Sequence, residues 1–300
     1  MTQQGSRLAG KVAIVTGAGR NIGRAEALSL MREGAKIVVN DVGGAEDVVK
    51  EIRDAGGDAV ADNHSASSWA GGEAIVKTAI DAFGRIDILI NNAGIVRPAR
   101  IDRMDEETWD AVVNISLKAY AATIRFAAPH FIAQGDGGVI VNTGSTSGLG
   151  HNSMANYSAA KEGALGLTRA VARDLGRYGV RCNLIRPISH ITGTFTPEIQ
   201  ETIDIAAEFD IPLMGNRHLG QPRITALPEH VAALTTLLCL PSTAHVTSQD
   251  FYVAGDEIAR HADPELIRMA FKPGGWTLEA LEDPHTLDNL VGDIRKRFLP

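Results

Sequence analysis

Seven short runs, most of them rich in valine and isoleucine, alternate along this 300-residue chain with segments of helical spacing; they lie at 12–15, 36–40, 58–61, 86–90, 138–142, 181–185 and 251–253. That alternation constrains the fold more than any other feature. Repeats of strand, helix and strand form parallel sheets with helices on both faces, so the pattern predicts a doubly wound parallel α/β sheet. The run at 86–90, Ile-Asp-Ile-Leu-Ile, is nearly unbroken, as suits a strand covered on both faces. Helices are expected from Ala25 to about Gly34 and at 45–55, 73–83, 106–131, 155–178 and 228–240. Pro187 is expected to stop the strand at 181–185.

Between 188 and 223, Gly193, Pro197, Pro212, Gly215 and Gly220 surround one short helical piece at 198–209. Long connections of this composition are often substrate loops. Beyond residue 256 only short amphipathic pieces occur, at 264–271 and 277–281. The expected organisation is one catalytic domain, 1–256, with a C-terminal extension, 257–300.

In doubly wound sheets ligands bind beyond the carboxyl ends of the strands, and this is where the chain concentrates its unusual residues. The first strand runs into Thr16-Gly17-Ala18-Gly19-Arg20-Asn21-Ile22-Gly23 and then a helix, which sets Gly17, Gly19, Arg20, Asn21, Ile22 and Gly23 as a pyrophosphate turn. Asp41 closes the second strand, where a carboxylate can accept from the adenosine ribose hydroxyls and repel a 2′-phosphate, favouring NAD over NADP. Arg20 pulls the other way, because a guanidinium in that turn can meet a 2′-phosphate. Asp62 and Asn63 end the third strand and could bond the adenine edge, although Asp-Asn also makes ordinary turns. Asn91-Asn92-Ala93-Gly94 ends the fourth, with Asn91, Ala93 and Gly94 leaving room for a ring against the backbone. Asn114 lies among apolar residues of the long helix, either as a structural amide or holding a relay water beside Lys161. Ser145 follows the fifth strand, and Pro187 the sixth.

Tyr157 and Lys161 are four apart at the start of the helix after Ser145, hence on one face. A free phenol, with pKa about 10, is mostly protonated at neutral pH, and lowering that value by about three units takes roughly 4 kcal/mol of preferential phenolate stabilisation. A lysine charge in a partly dry site is of that order. Alone the pair is a common coincidence; on the rim that carries the glycine turn it marks an acid–base centre.

Other function classes fit poorly. Net charge is −7 with no long basic run, which argues against nucleic acid or an anionic membrane as partner. The nine histidines show no metal-ligand spacing, so no metal is expected. Cys182 and Cys239 stand in apolar surroundings and fit reduced core residues. The polar N-terminus lacks the apolar core of a secretory signal, and no apolar run approaches the roughly 20 residues of a membrane span, so a cytoplasmic location is expected.

Taken together, Thr16-Gly17 through Gly23, Asn91-Asn92-Ala93-Gly94, Asn114, Gly144-Ser145, Tyr157-Ser158-Ala159-Ala160-Lys161 and Arg181-Cys182-Asn183 with Pro187 resemble the short-chain dehydrogenase/reductases over roughly 8–255. The resemblance implies a Rossmann fold, a nicotinamide cofactor, an active site of Asn114, Ser145, Tyr157 and Lys161, and a homodimer or homotetramer. It also implies contacts to the cofactor from Pro187 and Thr192. The sequence departs from the pattern in places. Asn21 stands where the family usually has glycine, which asks that it take the left-handed conformation asparagine tolerates. Ile188 stands where glycine usually follows the proline, and the serine-to-tyrosine spacing favours Ser145 over Ser147. The segments 38–44, 83–87 and 94–97 are similar to the (3R)-hydroxyacyl-CoA dehydrogenase part of multifunctional β-oxidation enzymes, which implies a small-molecule acyl-CoA substrate. Arg97, Arg100 and Arg103 could then meet CoA phosphates, or form a solvated surface paired with Asp102, Asp105 and Glu106. Dehydrogenation of a free hydroxysteroid or other hydrophobic alcohol, and cofactor sensing without turnover, are the alternatives.

Overall fold

The computed structural model describes residues 6–189, 201, 204 and 224–292. Thr192 and the helical piece expected at 198–209 therefore lie outside the described residues, apart from Glu201 and Asp204. Strands β1 (Val12–Thr16), β2 (Lys36–Asn40), β3 (Ala59–Asp62), β4 (Ile88–Asn91), β5 (Gly138–Thr143), β6 (Val180–Ile188), β7 (Asp250–Ala254) and β8 (Glu257–Arg260) form one sheet in the order β3-β2-β1-β4-β5-β6-β7-β8. All neighbours are parallel except β7 and β8.

The helices are α1 (Asn21–Arg32), α2 (Ala45–Asp54), α3 (Trp69–Phe83), α4 (Glu106–Val113), α5 (Ala119–Gln134), α6 (Ala155–Leu175), α7 (Pro228–Cys239) and the short α8 (Leu278–Glu282) and α9 (Pro284–Val291). Alternation along β1 divides the core. Ala13 and Val15 pack with Leu28, Val49, Leu234 and Leu238 from α1, α2 and α7, whereas Val12 and Ile14 pack with Ile75, Ile124, Phe131 and Leu175 from α3, α5 and α6. The central strands thus bury both faces, which explains their continuous apolar runs.

Three sequence expectations need correction. Pro187 does not stop β6: Pro187 pairs with Val253 and Ile188 with Ala254, whereas the last β5 pair is Thr143 with Ile185. With β5 already ended on that side, the missing N–H leaves no ladder partner unsatisfied. The sheet also continues past 256, because Gly255, with φ 55°, and Asp256 turn the chain back as β8 against β7. Glu-Ile-Ala-Arg carries too little apolar periodicity to announce itself as a strand. Finally, the piece at 264–271 is not helical; Leu266, Ile267 and Phe271 are exposed, so its apolar residues meet no surface that would stabilise a helix. The single helix expected at 106–131 is α4 and α5 joined through one π-helical turn, Asn114–Lys118.

Candidate active site

The rim at the carboxyl ends of β1, β2, β4 and β5 is fastened by side chains whose partners are all nearby. Thr16 Oγ1 accepts from the backbone N–H groups of Asn92 and Ala93 at 3.0 and 3.1 Å, and Asn92 Nδ2 donates to the carbonyls of Thr16 and Gly17 at 3.0 and 3.2 Å. The glycine turn and the β4 turn therefore form one unit. Gly17 has φ 65°, and a Cβ there would stand 2.9 Å from Ala93 Cα; a Cβ on Gly23 would collide with the Gly17 carbonyl oxygen. Asn21 has φ 50°, the left-handed conformation its replacement of glycine requires.

Helix α1 begins after Arg20 with no side-chain cap and no acidic residue in its first turn, whereas α3 and α4 are capped by Ser68 and Asp105. Its positive end suits an anion. Asp41 accepts from Gly19 N–H at 3.0 Å and Gly43 N–H at 3.1 Å, one bond per oxygen, so lone pairs remain for ribose hydroxyls. Arg20 is exposed at the turn, while Ile22 packs on the core. Asp62 differs: its oxygens accept from Asn40 Nδ2, His64 N–H and Thr78 Oγ1 and meet His64 Nδ1, all between 2.6 and 3.1 Å. That carboxylate is used up in joining β2, β3 and α3, and Asn63 Nδ2 donates to Glu46. Asn91 is likewise internal, linking Thr123 Oγ1 at 2.7 Å to Asn142 Oδ1 at 2.9 Å beneath the sheet end. Pro187 and Ile188 are half-buried at the end of β6.

Lys161 is the centre of the site. It is 2% exposed, and its Nζ donates to Tyr120 Oη at 2.9 Å and to the Thr143 carbonyl at 2.7 Å, lying 5.6 Å from the Tyr157 ring centroid. Burial pulls its pKa down to about 7. Burial also pushes the Tyr157 phenol above its ordinary value, against the Ser145 hydroxyl bonded to it, which favours the phenolate. The sequence expectation of a phenol already lowered by lysine is therefore not met in the chain alone. In a dry site the neutral form of each partner gains first.

The tyrosine is aimed by its neighbours. Asn156, fully buried, donates to the carbonyls of Arg97 and Thr108 at 3.0 and 3.2 Å and accepts from Tyr157 N–H at 2.7 Å. Ser145 precedes a 3₁₀ turn and accepts from Ser147 N–H at 3.1 Å. Its carbonyl accepts from Arg186 Nη1 at 2.6 Å, and Arg186, with no exposed surface, is also paired with Asp250 and Glu162 at 2.9 Å. The Ser147 carbonyl instead accepts from Ser158 Oγ at 2.6 Å, so Ser145 is the serine presented to the phenol.

Asn114 makes no hydrogen bond to Lys161, whose partners are Tyr120 and Thr143. The Asn114 carbonyl accepts from Ala119 N–H within the π turn, and among the described residues its half-buried side chain makes no hydrogen bond. Ser116 takes the inner position: it is fully buried, and a Cβ on Gly94 would stand 3.4 Å from both Ser116 Oγ and Lys161 Nζ. Ser116 Oγ and Thr143 Oγ1 are buried without partners. Buried orphan hydroxyls beside an ammonium are what a polar ligand or an ordered water would satisfy, and with the glycine turn and uncapped α1 they fit a dinucleotide. Thr16, Asn92, Ser116, Tyr120 and Arg186 escaped sequence reasoning. Of these only Asn92 carried a signal, as the second amide of a strand-end pair.

The three arginines after Gly94 are exposed. Arg100 pairs with Asp102 at 2.9 Å, Arg97 Nη1 donates to the Val96 carbonyl, and Asp105 caps α4. Both cysteines are buried, which pushes their thiols up to about 12. Among the described residues no cluster of His, Cys, Asp and Glu could hold a metal ion, and no helix is long and apolar enough to cross a membrane.

A doubly wound parallel sheet with a glycine turn at β1 and a buried lysine one helical turn beyond a tyrosine defines a dinucleotide-type α/β protein with an acid–base centre on its rim. The chain belongs to the short chain dehydrogenase family, whose model matches residues 11–202. It is 38% identical over 295 residues to hydroxyacyl-CoA dehydrogenase ChsB1 of Mycobacterium tuberculosis, covering 93% of this chain and 88% of that protein. It is 46% identical over 192 residues to the peroxisomal hydratase-dehydrogenase-epimerase of Neurospora crassa, covering 63% of this chain but spanning only 21% of that relative. The crystal structure of a short chain dehydrogenase from Mycobacterium paratuberculosis bound to NAD superposes with a TM-score of 0.74 at 28% identity, covering 83% of this chain and 97% of that one.

Proposed function

We propose that this protein is an NAD-dependent dehydrogenase interconverting a secondary alcohol and a ketone, with a 3-hydroxyacyl-CoA as substrate class. The observation that carries the reading is the contact of Ser145, Tyr157 and the buried Lys161 on the rim that holds the glycine turn. The family supports the reaction, the NAD-bound neighbour supports the cofactor, and the ChsB1 relative supports the acyl-CoA.

NAD, when bound, accepts the carbinol hydrogen with its electron pair. The chain supplies everything else. Tyr157 takes the hydroxyl proton, Ser145 Oγ holds the substrate oxygen, and Lys161 contributes positive charge beside the phenol. Gly17, Gly19, Arg20, Asn21, Ile22 and Gly23 form the pyrophosphate turn with α1, and Asp41 addresses the ribose. With the Asp62 carboxylate used up, the adenine contact falls to the backbone at Asn63. Ala93, Gly94 and Pro187 would border the nicotinamide. Among the arginines, Arg97 and Arg103 are better placed for CoA phosphates than Arg100, which Asp102 already holds. Family habit supports a homodimer or homotetramer, and the free cysteines support a reducing compartment such as the cytoplasm.

Absorbance at the NADH band, with a panel of 3-hydroxyacyl-CoA thioesters and free hydroxysteroids and alcohols, tests the reading. Turnover of thioesters with NAD supports it; turnover of free alcohols alone refutes the substrate class, and cofactor binding without any turnover refutes the enzyme.

A further inference from the structure

We propose that Tyr120 is a positioning residue of the active site, whose hydroxyl anchors Lys161 beside Tyr157. This rests on the dehydrogenase reading for its consequence in turnover, but not for its geometry. Tyr120 looks like a core aromatic: it is 1% exposed and belongs to the apolar cluster shared by α3, α5, α6 and the sheet. Its hydroxyl is nevertheless placed among polar groups. Tyr120 Oη can donate to the carbonyl of Ala93 at 3.1 Å or of Thr143 at 3.2 Å, so its proton belongs to the backbone of β4 and β5. The oxygen lone pairs are left to accept, and they accept from Lys161 Nζ at 2.9 Å.

Two of the three ammonium protons are thereby fixed, one on Tyr120 and one on the Thr143 carbonyl. The third is left for the side on which Ser116, Gly94 and the orphan Thr143 hydroxyl lie. An ammonium held in this way has one orientation rather than several, and its charge has a fixed distance to the phenol. Without the Tyr120 oxygen, a buried N–H would lose its acceptor, which disfavours the charged form.

The groups facing the ammonium are Tyr157 from α6, Tyr120 from α5, Thr143 from β5 and Ser116 from the π turn. Of these only the phenols titrate, and the nearest carboxyl felt by Tyr120 is Glu26 on α1. Burial holds the Tyr120 proton well above the ordinary range, so Tyr120 itself does not ionise in place of Tyr157.

The test is Tyr120→Phe, which keeps the ring and removes only the oxygen. The chain has four tyrosines, so the tyrosinate absorbance of the cofactor-free protein can be titrated and its earliest transition assigned with Tyr157→Phe. In Tyr120→Phe that transition, and the acidic limb of kcat/KM for alcohol oxidation, should move to higher pH by about one to two units. Folded variant protein in which both stay within about 0.3 unit of the parent overturns the proposal, because a merely structural tyrosine lowers yield or kcat without moving either. If Tyr120→Phe does not fold, the parent labelled with ¹³C at tyrosine Cζ decides. The Tyr120 resonance must then shift in step with Lys161 titration near pH 7, and a flat Tyr120 signal overturns the proposal. Absence of turnover in the parent would refute the dehydrogenase reading alone, since both titrations are made without substrate.

Discussion

Replacing Glu26 by glutamine should stabilise the protein, and by an amount that grows with pH. Glu26 sits on α1, with no exposed surface, and accepts from Thr235 Oγ1 of α7 at 2.8 Å, while its second oxygen has no partner. Burial raises its pKa from 4.5 to about 8, against the pull of the Thr235 bond. The native chain therefore keeps the carboxyl protonated at neutral pH, whereas the unfolded chain releases the proton above 4.5. With a raised native pKa, the native state binds more protons across this window, and stability falls as pH rises from the unfolded value to the native one. At pH 7 the separation of 2.5 units corresponds to about 3 kcal/mol, at about 1.36 kcal/mol per unit. Glutamine keeps an acceptor for Thr235 and has no proton to lose. Urea unfolding of both proteins at pH 5.5 and 7.5 reads the effect: the advantage of Glu26→Gln should widen by about 2–3 kcal/mol between the two. A difference constant within about 0.5 kcal/mol would show that Glu26 is not held neutral, and would refute the argument from burial.

Three further outcomes follow from the site. Asp41→Ala should weaken NAD use by about 10–100-fold in kcat/KM and ease NADP use, read as the ratio of the two efficiencies; an unchanged ratio removes Asp41 from the ribose. Ser145→Ala should lower kcat by about 10²–10³-fold with little change in NADH binding, whereas Ser147→Ala, remote from the phenol, should not. Arg186→Met leaves Asp250 buried and unpaired, so it should cost about 3–5 kcal/mol in urea unfolding; a loss under about 1 kcal/mol would show that the ion cluster does not brace the Ser145 turn.

The parts of this molecule that were legible in its sequence are those governed by local periodicity. Both faces of the sheet are buried, so seven strands were visible as apolar runs, and the glycine turn, Asp41, Ser145 and the Tyr157–Lys161 pair followed from their position at strand ends. What escaped depended on long-range partners or on helix phase. Arg186, beside Pro187, gave no sign that it would be the largest fully buried side chain, because Asp250 and Glu162, which make that possible, are distant in sequence. Ser116 gave no signal, because a serine in a helix draws less attention than the amide of Asn114; the π turn that carries it inward is invisible in composition. Helical periodicity can bury an aromatic such as Tyr120 but cannot tell where its hydroxyl ends. The strand β8 was lost to its own polarity.

The central claim is that the Tyr157 hydroxyl carries the proton while the rim around it binds the dinucleotide. Tyr157→Phe removes that oxygen and leaves the glycine turn, Asp41 and Lys161 in place. Measured on one preparation, NADH binding by fluorescence should stay within about threefold of the parent while alcohol oxidation falls by about 10²–10⁴-fold. Turnover retained at near-parent rate with cofactor bound would contradict the account.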